Sequence, residues 1–328
     1  MFTSYKLLNL FSYILHREMS LTNFTGDTKQ KPYQELECSA ELTGNIHNQL
    51  INLSVLNIFL SITAFLGNTV ILAALHKESS LHPPSKFLLR NLATTDLCVG
   101  IIAEPLAVVN WISAVNKRWN ICRFTVVTSL ITGYMLCSVS LCTLTAISVD
   151  RLLALLLGLR YRQVVTLKRT YVTVIVFWVV PIFGSTTFLW SNLIFLWYGN
   201  IVIPLCLVTS IYSYTRIFLT LRHHRTHVEG NVQGQQSQTS HLNIARYRKA
   251  VTSALWLQLT LVACYLPFSI TWPLTQSSLS SNAYLASQFT ITLVFLNSSI
   301  NPILYCWKIT EVRQAAKDTI RQLFCSPN

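Results

Sequence analysis

The sequence predicts an all-α membrane protein, a bundle of seven transmembrane helices with a C-terminal amphipathic helix. Three observations point there. Hydrophobic residues make up 52% of the 328-residue chain, charged residues only 11%, and the mean hydropathy is +0.44, outside the range of an ordinary soluble domain. Apolar runs long enough to cross ~30 Å of hydrocarbon fall near residues 50–76, 86–112, 120–153, 170–191, 193–220, 246–274 and 283–307. The positive charge is lopsided: 18 of the 25 Lys and Arg lie at the first, third and fifth connections and the C-terminal segment, against 7 on the other side. Retained loops carry that excess, so the N-terminus is expected outside, in the plasma membrane.

The chain then divides into an outer tail over 1–49, a membrane domain over 50–307 and an inner segment over 308–328. The formal charge of +13 reads as topology and attraction to anionic membrane lipid at the inner leaflet. With no basic fold or aromatic platform behind it, a nucleic-acid partner is excluded.

In chain order, the tail opens with an apolar run from Leu7 to Leu15 followed by His16-Arg17-Glu18, a poor signal peptide; Met19 is an alternative start. Asn23-Phe24-Thr25 has the form of a glycosylation site. The fourth connection, near Ser191-Asn192, is almost absent. The fifth, about residues 222–243, is Gln/Ser/Thr-rich and expected to be flexible; its His223, His224, His227 and His241 are read as part of a basic loop rather than a metal site. Pro204, Pro267 and Pro302 interrupt the last three spans, and each removes a helical hydrogen bond. After the last span, Ile309, Val312, Ala316, Ile320 and Leu323 share one face of a helix that would lie on the inner membrane surface. Cys325 follows, either an acylation site or a plain thiol.

Ionisable groups inside a span cost at least ~2.5–3.5 kcal/mol near the centre. Asp96 in span two is the clearest, with Asn68, Ser140, Asn297, Ser298 and Asn301 as polar partners from spans one, three and seven. Oxygen donors of this kind suit a hard cation such as sodium; a hydrogen-bond network that only tightens the bundle is the equal alternative. Asp150-Arg151 sets an acid beside a guanidinium at the inner end of span three.

Taken together, Gly67-Asn68, Leu92-Ala93-x-x-Asp96, Ser140 through Asp150-Arg151, Trp178, Cys264-Tyr265-Leu266-Pro267-Phe268 and Asn301-Pro302-Ile303-Leu304-Tyr305 resemble the rhodopsin-like G-protein-coupled receptors from about Asn52 to Phe324. The resemblance implies a receptor for an extracellular ligand that activates heterotrimeric G proteins and also engages arrestin, with no chemistry on the ligand and no enzymatic activity. It places Asp150, Arg151, Tyr212, Asn301, Pro302 and Tyr305 in coupling and activation. It gives Asp96, Ser140, Asn297, Ser298 and Asn301 to an allosteric sodium pocket and Tyr265, Pro267 and Phe268 to the switch of span six.

The chain departs from the family pattern in ways that matter. Tyr265 stands where a Trp is usual, Leu152 follows Asp150-Arg151, and Tyr247-Arg248-Lys249 replaces the acid often found near the start of span six. A weak resting lock, with ligand-independent signalling, is expected. The usual disulfide to the second outer loop lacks a partner there. Six of nine cysteines sit within spans and Cys325 inside, so Cys38 and Cys122 either pair with each other or stay free thiols in an oxidising compartment. Cys122 stands roughly 6 Å higher on its helix than the family's cysteine.

Gly133 occupies the position where amine receptors carry an Asp, Phe295 the position of the retinal lysine, and Trp272 that of the adenosine receptors' Asn. Glu104, Tyr134, Trp197, Asn200, Phe268, Trp272, Gln276 and Gln288 are the ligand-pocket candidates. The short second outer loop is similar to that of melanocortin and lipid receptors, although the acidic trio of melanocortin receptors is not matched. A seven-span ion or proton transporter is the competing class; no internal repeat or matched pair of broken helices supports it. No nucleophile, base and orienting group converge at one depth, so an enzyme is not expected.

Overall fold

The computed structural model describes residues 37–77, 81–230, 259–275, 280–308 and 310–324. Ser39 caps a helical turn, Ala40–Thr43, by accepting from the Leu42 amide, and the 3-10 turn Gly44–Ile46 leads into helix α1, His47–Lys77. There follow α2, Pro83–Val115, α3, Trp119–Leu157, α4, Leu167–Thr186, α5, Asn192–Gly230, α6, Leu259–Thr275, α7, Ser281–Lys308, and α8, Thr310–Phe324. Six of these are long and apolar enough to cross a membrane, and α6 is a shorter apolar helix. Together they form the seven-helix bundle; no strand occurs among the described residues.

Lipid tails are as apolar as leucine, so membrane helices associate by close approach and polar links rather than by apolar burial alone. The bundle obeys this. Val55, Phe59, Ile62 and Leu66 of α1 are exposed, whereas Ser54, Asn57, Ala64 and Asn68 are buried. A Cβ on Gly67 would come within 2.9 Å of the Pro302 ring, and one on Gly100 within 2.9 Å of the Ala64 methyl. Polar links accompany these approaches. Ser61 Oγ donates to the Gly100 carbonyl at 2.6 Å, Asn57 Nδ2 to Thr292 Oγ1 at 2.9 Å, and Ser299 Oγ to the Leu60 carbonyl at 2.9 Å. Trp178 Nε1 donates to Asn91 Oδ1 at 2.9 Å, and Asn91 Nδ2 in turn to Thr143 Oγ1 at 2.8 Å, tying α4, α2 and α3 together.

Two features differ from the expectation. Helix α2 contains a π turn, Val99–Ala103, in which the Glu104 amide reaches the Val99 carbonyl. Pro105 has no amide to continue the ladder below it, and the wider turn accommodates the gap. Helix α5 runs to Gly230, past the expected end near residue 220 and into the connection read as flexible. The rest of that connection, the start of the sixth span, Gln276, Asn23 and Cys325 lie outside the described residues. In α8, Val312 and Ala316 are buried, and the helix packs against α1 and α7.

Gly67→Ala should lower the melting temperature of the purified protein, because the proline ring facing it cannot rotate away; an overpacked contact of this kind costs about 1–3 kcal/mol. Gly44→Ala, with nothing within 4 Å of its added carbon, should melt close to the native protein in the same assay.

Candidate functional site

At the centre of the bundle Asp96 has no solvent exposure. Ser140 Oγ of α3 and Ser298 Oγ of α7 each donate to its Oδ1 at 2.9 Å, and Asn301 Nδ2 of α7 donates to Oδ2 at 2.7 Å. All three partners are neutral, so the carboxylate would carry an unmatched charge. Asn68 Nδ2 joins α1 to the group by donating to the Ser298 carbonyl at 3.1 Å. Asn297 is buried beside them, and its Nδ2 has no hydrogen-bond partner among the described residues. Below, Pro302 and Tyr305 are buried, with Tyr305 1% exposed.

At the C-terminal end of α3, Asp150 turns away from its neighbour Arg151. Ser85 Oγ of α2 donates to Asp150 Oδ2 at 2.8 Å, and Tyr161 OH, from the helical turn Tyr161–Val164, donates to Oδ1 at 2.6 Å. The Tyr161 ring lies 5.1 Å from that of His82. Arg151 makes no hydrogen bond or ion pair to another described residue. Tyr212, expected to face the coupling region, is 60% exposed on the outside of α5, whereas Tyr214 is 4% exposed and packs with Leu152 and Ile217 close to Ser148 and Arg151. Two residues turn a helix by about 200°, so only one of the two tyrosines can point inward.

At the end of the bundle that carries the N-terminal segment, α2, α3, α5, α6 and α7 enclose a cavity of about 790 Å³, its open mouth included. Tyr134, Phe268, Trp272 and Gln288 stand on its wall. The Tyr134 ring packs 4.6 Å from Phe195, 5.7 Å from Trp272 and 5.9 Å from Phe268. Gly199 makes room for it, since a Cβ there would approach Tyr134 OH to 3.0 Å. Trp111 Nε1 donates to Gln288 Oε1 at 2.9 Å, linking α2 to α7. Tyr265, in the switch position, donates its hydroxyl to the Cys137 carbonyl of α3 at 3.1 Å and forms part of the cavity floor.

Three pocket candidates lie elsewhere. Trp197 and Asn200 are half-buried off the cavity wall, because α5 turns Phe195, Gly199 and Ile203, spaced four apart, toward the bundle. Glu104 is fully buried below the wall, and neither carboxylate oxygen has a hydrogen-bond partner among the described residues. Gly133, the position compared with the amine receptors' Asp, lies on the wall, and Trp111 and Ile203 line the cavity without having been singled out for it; only the helical phase of each span, which the π turn shifts in α2, would have revealed these two.

The mouth is closed on one side by the N-terminal segment. Cys38 and Cys122 are joined by a disulfide with their Cα atoms 6.0 Å apart, packed among Ala114, Val126 and Trp119. Glu37, the residue before, is buried on the cavity wall. The other six described cysteines are free.

A seven-helix bundle with an aromatic cavity at one end, a buried acid at its centre and the Asp150-Arg151 pair at the other end of α3 has the form of a membrane receptor. The chain belongs to the 7 transmembrane receptor (rhodopsin family), which it matches over residues 67–193 and 185–305. Among individual proteins it is similar to melanocortin receptor 5 of Rattus norvegicus, 24% identical over 274 residues that cover 80% of this chain and 82% of the relative, and to melanocortin receptor 5 of Mus musculus at the same identity and coverage.

Cys38→Ser with Cys122→Ser should lower stability by about 2–4 kcal/mol, as expected for a crosslink closing a long loop. Melting of the native protein should fall on adding reductant, and that of the double variant should not move.

Proposed function

We propose that this chain binds a ligand from the extracellular side, in the cavity bounded by Tyr134, Phe268, Trp272 and Gln288, and activates a heterotrimeric G protein at its inner face. The observation that carries the reading is at Asp150. Its carboxylate is taken up by Ser85 and Tyr161, so Arg151 stands at the inner boundary without an internal partner among the described residues, available to an external one. The bundle lies in the plasma membrane with the N-terminal strap outside and α8 along the inner lipid surface, where arrestin would compete for the same inner face.

Transmission follows from differential binding. A ligand shifts the bundle only by as much as it prefers one arrangement over another. The contacts it would bias are in place beneath the cavity: Tyr265 to Cys137 at its floor, and the Asp96 group one layer down, which joins α2 and α3 to the Asn301-Pro302 segment of α7. A hydroxyl that donates to Asp96 can still offer a lone pair, so Asp96, Ser140 and Ser298, with the amide oxygen of Asn297, form an oxygen set that fits a sodium ion. Bound there, sodium would supply the positive charge that the neutral partners lack and favour the arrangement that keeps α2, α3 and α7 together.

The test is second-messenger output, cyclic AMP and calcium, from cells expressing the chain with and without Arg151→Ala. Basal output above that of untransfected cells, lost by more than half in Arg151→Ala at equal surface expression, is the expected result; equal output from both would remove the coupling role. For the ion, the native protein should melt at higher temperature in sodium chloride than in N-methylglucamine chloride, by an amount that grows with the logarithm of concentration above Kd. Asp96→Asn should show no difference between the two salts.

A further inference from the structure

Two thiols face each other between α3 and α5, apart from the cavity and from the Asp96 group. Cys142 Sγ and Cys206 Sγ are 3.9 Å apart, in hydrogen-bond contact, and among the described residues no other two free sulfurs are so paired. The two helices meet there through small side chains. Ser210 Oγ donates to Thr145 Oγ1 at 3.2 Å, one turn along both helices, and Thr145 Oγ1 donates to the Cys206 carbonyl at 3.5 Å. Closing the sulfurs to the ~2.0 Å of a disulfide therefore takes side-chain rotation and a small approach of α5. The pair is also placed to meet lipid. Cys142 is half-buried on the stripe of α3 that carries Met135, Val149 and Leu156 at seven-residue intervals, with Leu156 50% exposed. The cavity wall takes other faces of α3, at Gly133, Cys137 and Leu141. Cys206 is 9% exposed, next to Leu205 at 62%. Cys142 precedes Arg151 by nine residues, about 13 Å along the helix and so near the middle of ~30 Å of hydrocarbon. A thiolate is costly at that depth, which closes the ionic route by which water-exposed cysteines are oxidised. Transfer of a hydrogen atom moves no charge and stays open.

We propose that Cys142 and Cys206 form a hydrogen-atom donor to lipid peroxyl radicals, and that its product is a disulfide joining α3 to α5. A peroxyl radical takes the thiol hydrogen of Cys142, the more accessible of the two, leaving a lipid hydroperoxide and a thiyl radical. Exchange of the Cys206 hydrogen across the 3.9 Å contact moves the radical to the inner sulfur and restores an S–H bond at Cys142. A second peroxyl radical takes that hydrogen, and the unpaired electrons of the two sulfurs pair as an S–S bond. In sum two S–H bonds break and one S–S bond forms. Two peroxyl radicals are reduced to two hydroperoxides, each cysteine is oxidised by one electron, and no ion is released into the hydrocarbon. The bond ties the two helices covalently, so a bundle in peroxidising lipid is held in the arrangement in which it was oxidised. The proposal needs only the membrane placement of the bundle and is independent of the ligand and of the G protein.

The test places the native chain in nanodiscs containing linoleoyl phosphatidylcholine and starts peroxidation in air with a lipid-soluble azo initiator. Peptide mapping without reductant follows the Cys142–Cys206 bond and the state of the other described free thiols. The bond should form severalfold faster than Cys98, Cys137, Cys264 or Cys306 is lost. A water-soluble azo initiator of equal radical flux, over saturated lipid, should form it severalfold more slowly. Cys142→Ala should leave Cys206 largely a thiol, because lipid reaches the pair through Cys142. Cys206→Ala should leave Cys142 to end as oxygenated sulfur instead of a bond. Cys142 and Cys206 that stay reduced while the linoleate is consumed would overturn the proposal. So would a bond that forms as fast from radicals in water, one that forms no faster than the other four thiols are lost, or Cys206 oxidised at the native rate in Cys142→Ala.

Discussion

The structure depends on one unmatched charge. An acid placed where no water reaches needs its oxygens satisfied, and Asp96 obtains this from three side chains on two other helices. No basic residue among the described ones shares the task. That choice fixes the depth at which α3 and α7 meet α2, because a serine or asparagine one residue away in either direction would point elsewhere. It also accounts for the close approach of α1, whose Asn68 reaches the Ser298 carbonyl and whose Gly67 leaves no space against Pro302. A network of neutral donors around one acid is costly to form and cheap to rearrange, since exchanging a hydroxyl for a cation or a proton changes little in geometry. This suits a protein whose function is to change arrangement rather than to keep one.

The two ends of the bundle treat their acids differently. At the end of α3, Asp150 is satisfied by Ser85 and Tyr161, and Arg151 has no hydrogen bond or ion pair to another described residue. At the other end, Glu104 is buried with no hydrogen-bond partner among the described residues, and Glu37 is brought onto the cavity wall by a disulfide-pinned segment.

Much of this was legible in the sequence, and the reasons for the remainder are physical. The apolar runs predicted α1, α2, α3 and α7 within a few residues, because hydrocarbon thickness sets their length, whereas α5 runs about ten residues further than its run and the start of the sixth lies outside the described residues. Asp96 and its partners were legible because a polar group in a span is too costly to be incidental. The inward face of α5 was not, since an apolar run carries no marker of phase: Trp197 and Asn200 are as plausible in composition as Phe195 and Ile203, and Tyr212 as Tyr214. The π turn of α2 follows from Pro105, yet a proline alone does not say whether a helix kinks, ends or widens, and the phase of Glu104 depends on which. The pairing of Cys38 with Cys122 stood open between a bond and two thiols. That Glu37 would then reach the cavity wall was not foreseen, because nothing in the pattern of the tail marks where it folds.

The most direct test of the account is a reciprocal exchange at its centre, with Asp96→Asn, Asn301→Asp and the combined variant compared by thermal melting and by Arg151-dependent basal output. If the 2.7 Å contact between these two side chains couples α2 to α7, each single change should lower stability and alter output, and the combined variant, which restores one acid and one amide across the same contact, should recover a large part of both. Coupling energies of about 0.5–3 kcal/mol are usual for residues in one such network. Losses that simply add in the combined variant would contradict the account, and the bundle would then be held by its apolar and small-residue contacts with Asp96 as a passenger.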